Sequence, residues 1–192
     1  LANEGTYRSL MTTDTFPVAP ELASVYGVEP GDAVTVPGRH GMLTLSSFMA
    51  THSREAVTHP IERGAFFRRE VLCSALPPFP GNIDVATPLE STADLPTARE
   101  RLAPLSERPD CAGCHSLFNP LGFALENFDA VGRFRDSEND RPIDASGSYT
   151  NLQGDRITFQ GARELGDFLA GSSDCHQAFV EAAFEHFVKQ SI

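Results

Sequence analysis

The chain has 192 residues, enough for one generous domain or two small ones, and 41% of them are hydrophobic, so it can build a buried core. A formal charge of −11 argues against a nucleic-acid binder, because phosphate contacts need a surplus of Lys and Arg. No apolar run approaches the roughly 20 residues that cross a bilayer, and the N-terminus lacks the basic, apolar, then small-residue order of a signal peptide. Leu1 is not a natural start, so a processed chain or a piece of a longer one is expected.

Residues 1–60 read as irregular, with turn signals at Pro17, Pro20, Gly27, Pro30-Gly31 and Pro37-Gly38. Within them, Pro20 to Tyr26 can form one or two helical turns ended by Gly27, and Leu43 to His52 a short helix. From Glu62 to Ser74 the residues Phe66, Phe67, Val71 and Leu72 recur near the helical period and predict a helix. Residues 77–96 are rich in proline, which removes a donor and clashes with the preceding turn, so an extended connector is expected. Thr97 and Glu100 make a capping box for a helix from Ala98 to about Glu107, disturbed by Pro104. A turn is expected at Asn119-Pro120, followed by a short helix with Phe123, Leu125 and Phe128 inward. Residues 147–160 read as a hairpin around Gly154-Asp155. A helix near Ala162 to Ala170 stops at Gly171. The last helix should start after Asp174 as its N-cap. Its stripe of Phe179, Val180, Ala183, Phe184, Phe187 and Val188 is expected to face the core.

The segment with the most specific chemistry is Cys111-Ala-Gly-Cys114-His115, the attachment pattern of c-type haem. Two thiols three residues apart on a helical turn can bond the two vinyl groups along one porphyrin edge. The imidazole next to them then lies under the iron as a proximal ligand. A thioredoxin-like redox pair would want a strand before it and a helix after it, whereas Pro109-Asp110 precedes here. Zinc is the stronger rival, because Cys73 and Cys175 could complete a four-thiolate site, although neither belongs to a second Cys-x-x-Cys knuckle.

Gly41-Met-Leu-Thr44, Pro60-Ile-Glu-Arg-Gly64, Pro77-Pro78, the run from Cys111 to Arg133, Ile143-Asp-Ala-Ser-Gly147 and the Phe179-Val-Glu181 helix together carry a resemblance. They resemble the C-terminal region of the large planctomycete-type multidomain cytochrome c proteins, secreted chains whose terminal domains are of unknown function. The likeness covers nearly the whole chain and departs at His59-Pro60, where the family pattern has Ser-Pro. It implies one covalent haem c and a mainly α, cytochrome c-like haem domain with a small β-hairpin and long Pro/Gly-rich loops. The expected organisation is an N-terminal segment over 1–80 packing on the haem domain, a connector over 81–96 and the haem domain over 97–192.

The second iron ligand decides function: Met or His suits electron transfer, an open position small-molecule chemistry. No Met follows His115, so His176 is the first expectation, with Met49 as the alternative and His186, Met42, His52, His59 and His40 also in view. Met11 is set aside as remote from any family-like segment. The turn carbonyls of Asn119 and Pro120 can orient His115, and Arg133 or Arg135 can pair with haem propionates or with nearby carboxylates. Haem attachment of this kind takes place outside the cytoplasm, where Cys73 and Cys175 would oxidise to a disulfide and the protein would be periplasmic or extracellular. Electron transfer to an unidentified redox partner protein, within a larger secreted assembly, is the expected role, rather than catalysis. A haem enzyme or sensor with an open iron site and a zinc-stapled interaction module are the alternatives.

Overall fold

A computed structural model describes residues 5–54, 57–72, 74–78, 81 and 92–189. The described chain is mainly helical with small antiparallel hairpins. Helix α1 (Tyr7–Thr12) starts from a capping box in which Thr6 and Ser9 satisfy each other's backbone N–H groups. Strand β1 (Thr15–Val18) then pairs antiparallel with β2 (Gly31–Thr35), and α2 (Pro20–Tyr26) lies between them. The sequence reading of this stretch as irregular is thus corrected. Phe16, Val18 and Val36 bury a small core of their own, with Leu22 and Tyr26 packed on it. Gly27, at φ 67, ends α2 in the left-handed conformation that glycine adopts without cost.

A single 3₁₀ turn (Met42–Thr44) and α3 (Ser46–Thr51) replace the one expected helix over Leu43 to His52. The two-residue hairpin of β3 (Ser53–Arg54) and β4 (Val57–Thr58) leads into α4 (Pro60–Phe66), which ends in a π turn over Phe67–Val71. Helix α5 (Ala98–Glu107) opens on the predicted Thr97/Glu100 capping box and runs through Pro104. Helix α6 (Pro109–Phe123) follows after one linking residue. Hairpins β5–β6 (Ser137–Glu138, Arg141–Pro142) and β7–β8 (Ser146–Thr150, Arg156–Gln160) come next, the second matching the predicted hairpin. Helices α7 (Gly161–Gly171) and α8 (Ser173–Val188) complete the chain. No helix among the described residues is long and apolar enough to cross a membrane.

Helix α4 crosses α6 at backbone contact. A Cβ on Gly64 would overlap the Phe118 carbonyl, and one on Gly122 would overlap the Pro60 carbonyl, so both positions demand glycine. Beyond α6 the chain turns sharply, with Leu125, Glu126 and Phe128 N–H groups each donating three residues back. A buried polar knot fixes those turns in place of the expected short helix. The fully buried Arg63 guanidinium donates to the carbonyl oxygens of Leu125 (3.1 Å), Phe128 (3.0 Å) and Asp129 (3.0 Å) and to Ser53 Oγ (3.0 Å). Glu126, buried beside it, lies 3.4 Å from Arg63 and from Arg135 and accepts from Thr58 Oγ1 at 2.7 Å. Burial first, and then the Glu138 carboxylate, push its carboxyl up, and the two guanidinium groups and the Thr58 hydroxyl oppose that shift only in part.

The last helix departs from expectation at both ends. Ser172, not Asp174, is the N-cap, while Asp174 is buried and accepts from Tyr149 Oη and Leu152 N–H. Only Asp174, Cys175 and Ala178 of α8 are buried, and Phe179, Val180, Phe184, Phe187 and Val188 of the predicted core stripe stand exposed. Apolar periodicity identified the helix, but only its first turns touch the rest of the described chain.

Candidate functional site

Pro109 occupies the first turn of α6, where its missing N–H costs nothing. Asp110 follows it, and its hydrogen bond from Arg108 (2.6 Å) holds the carboxyl down to about 2, an anion at the positive end of the helix. With the helix set there, positions 111, 114 and 115 fall on one face. Cys111 is buried among Leu102, Leu105 and Phe123, with Ile61 packed against the group. Burial first, and then the Asp110 carboxylate, push its thiol up, so it is held in the neutral form. Cys114, one turn on, is half-buried.

The partner of His115 is the buried side chain of Asn119, at 3.2 Å from Nδ1. Its hydrogen-bond chain can be read from the far end. Ser106 Oγ donates to the Leu102 carbonyl (3.4 Å), so its lone pairs accept from Asn119 Nδ2 (3.0 Å). The amide is thereby turned with Oδ1 toward His115, and an oxygen can only accept. Nδ1 therefore carries the ring proton and Nε2 presents a lone pair. Burial also lowers the pKa of His115, which favours the neutral ring. The expected turn carbonyls of Asn119 and Pro120 do not play this part, because α6 continues through both residues. Residues before proline normally avoid the helical region. Asn119 is held there by bonds on both sides of its amide. Its spacing of four from His115 was the signal that sequence reasoning passed over.

A cavity of about 740 Å³ opens between the start of α4 and the start of α5. His59, Ile61, Arg101, Leu102, Arg135 and Glu138 are among the residues around it. None of Cys111, Cys114 and His115 lines it. Ile61 and Leu102, however, belong both to its wall and to the cluster around Cys111. Arg101 meets Glu138 at 2.7 Å, and Arg135 lies 3.7 Å from the same carboxylate.

The other predicted site residues lie elsewhere. His176 Nε2 donates to the Ala170 carbonyl (3.1 Å), and its ring stands edge-on to Tyr7. Met49 is fully buried in the main core with Leu121, Leu125 and Phe128. Neither is brought to the cavity or to the Cys111 cluster. Arg133 is exposed and faces Asp129 at 3.7 Å, whereas Arg135 is drawn into the Glu126 knot at the cavity. Cys175 is buried in the main core, apart from the Cys111 cluster, and the predicted pairing with Cys73 falls on a residue outside those described. The donor set of α6 fits a covalently held haem: two thiols and one imidazole lone pair on one face, beside apolar side chains. Among the described residues the third thiol, that of Cys175, lies in a different cluster from Cys111. Among the described residues no group of three or more His, Cys, Asp or Glu is arranged to hold a metal ion.

A family model described as PSCyt3, protein of unknown function (DUF1588), matches residues 39–138, just over half of the chain. The matched stretch contains α4, the cavity wall except Asn139, and the whole of α6. No curated protein and no solved structure matches the chain.

Proposed function

Because the chain belongs to the PSCyt3 family, proteins of unknown function, we propose its role from its own residues: a c-type cytochrome domain that carries one covalent haem and transfers electrons. The observation that carries this reading is His115, with Nδ1–H given to Asn119 and a lone pair on Nε2, on the same face of α6 as Cys111 and Cys114. Cys111 and Cys114 would hold the porphyrin through thioether bonds, and His115 would bind its iron from one side. A haem bound there supplies one-electron exchange between Fe(III) and Fe(II).

The chain's own contributions are orientation and electrostatics. Asn119, braced by Ser106, fixes the imidazole plane and keeps its proton on Nδ1. Leu102, Leu105, Phe123 and Ile61 exclude water from the side of Cys111. The net charge of −11 suits a basic redox partner. Haem attachment of this type places the protein in the periplasm or outside the cell, where a Cys73–Cys175 disulfide would also form.

The test is the mass of the acid-denatured protein after expression with periplasmic haem-attachment machinery. One macrocycle should be retained in the wild type, and none should remain bound in the double variant Cys111→Ala/Cys114→Ala. A wild-type mass equal to the bare polypeptide ends the reading.

A further inference from the structure

We propose that a recess walled by Arg68, Ser148 and Thr150 binds a small oxyanion, a carboxylate or a phosphate, independently of any haem. The starting point is how this chain treats its arginines. Arg39, Arg63, Arg99, Arg101, Arg108 and Arg135 are wholly or partly buried, and each donates to a carbonyl or carboxylate oxygen of the chain. Arg68 is partly buried too, and it differs. Its Nε is buried without an acceptor, and among the described residues no hydrogen bond or ion pair reaches its guanidinium. A guanidinium stays charged at ordinary pH, so one withdrawn from water with no oxygen to bond is costly unless an anion joins it.

The π turn after α4 puts Arg68 on a recess of about 290 Å³, walled also by Ser116 and Leu117 of α6 and by residues 148–152 of β7 and the turn beyond it. The guanidinium carbon lies 5.5 Å from the centre of the Tyr149 ring, whose π face steadies the cation and leaves its N–H edge for an oxyanion. Two hydroxyls add donors. Ser148 Oγ accepts from Arg156 at 3.4 Å, so its own proton is available to a ligand. Thr150 lines the recess, and its hydroxyl has no bond among the described residues. Arg156 pairs with Thr150 across the hairpin and adds a second positive charge beside Ser148. The other polar side chains are occupied: Ser116 Oγ donates to the Gly113 carbonyl at 3.1 Å, and Asn151 Oδ1 accepts from the Gln153 and Asp155 N–H groups. Asp174 is the opposing charge. It accepts from Tyr149 Oη and the Leu152 N–H, both at 3.4 Å, and forms no ion pair with Arg68. Its repulsion makes binding weak and readily reversible. Donors without free acceptors, in a space at the small end for ligand sites, select a compact oxyanion.

The experiment titrates the full chain, isotopically labelled for nuclear magnetic resonance, with inorganic phosphate and separately with malonate at constant ionic strength. At least one probe should shift the Arg68 Nε–H signal and the Ser148 and Thr150 amide signals along one saturating curve, and sodium chloride should not. Saturation by phosphate alone marks the ligand as a phosphate, and by malonate alone as a carboxylate. Arg68→Gln should weaken binding about tenfold or more, as the loss of a charge-assisted hydrogen bond requires. Arg69→Gln, at an exposed guanidinium that faces Glu70 at 3.7 Å, should bind like the wild type. Thr150→Val changes an exposed position, so the fold survives it even where Arg68→Gln does not fold, and it should weaken binding severalfold. A wild type that saturates with neither probe overturns the site. So does unchanged binding in Arg68→Gln or, where that variant does not fold, in Thr150→Val. Equal weakening in Arg68→Gln and Arg69→Gln also overturns it, in favour of diffuse attraction to a basic surface.

Discussion

Asn119 shows how one buried amide can fix the tautomer of a neighbouring imidazole. Its Oδ1 takes the Nδ1 proton of His115 while its Nδ2 is tied to Ser106, so the acceptor cannot rotate away. A stronger acceptor there makes the imidazole more basic, and a more basic ligand favours ferric iron. Asn119→Asp in the haem-loaded protein should therefore lower the reduction potential, and Asn119→Leu should raise it; spectroelectrochemical titration of the three proteins checks the order. Both shifts should occur without loss of the covalent haem, since the thiols are untouched. At this scale the sequence disclosed the thiols and the imidazole, because their spacing within one helix is a local property. It did not disclose Asn119 as the partner, because a proline at the next position argued for a turn there. What overrode that argument is non-local, a hydroxyl on another helix.

Among the elements, the α4–α6 crossing decides where the cavity lies. Gly64 and Gly122 let the two backbones meet, which brings His59 and Ile61 to the side of α5. Gly64→Ala should cost about 3 kcal/mol or more, because the Phe118 carbonyl it would strike is backbone and cannot swing aside. Gly113→Ala, in the same α6 but facing open space, should instead leave stability unchanged or raise it by about 0.5–1 kcal/mol. Urea unfolding of the two variants separates close packing from helix propensity. Helix starts were legible where capping chemistry marks them, as at Thr97 with Glu100. The outer stripe of α8 was misassigned because periodicity reports that a helix has an apolar face, not that a neighbour covers it.

For the molecule as a whole, the Arg63–Glu126 knot joins α4, the β3–β4 hairpin and the turns after α6 into the frame around the cavity. Arg63→Met would take the guanidinium away from the carbonyls of Leu125, Phe128 and Asp129, of which Leu125 and Asp129 keep the N–H groups of Phe128 and Gly132, and would leave Glu126 with Arg135 as its remaining ion pair. Removing one partner of a buried pair costs about 3–5 kcal/mol. The urea midpoint of the variant should fall accordingly, and the loss should be larger than for an exposed charge such as Arg133→Met, which faces solvent. The sequence by itself determined the Cys111-x-x-Cys114-His115 spacing, the Thr97/Glu100 cap and the mainly helical class, because each follows from spacing along a few consecutive turns. Only the tertiary structure decided which histidine faces the cavity, which side chain orients His115 and which arginine is buried. Those outcomes depend on helices far apart in the chain meeting at particular faces, and no local pattern encodes the meeting.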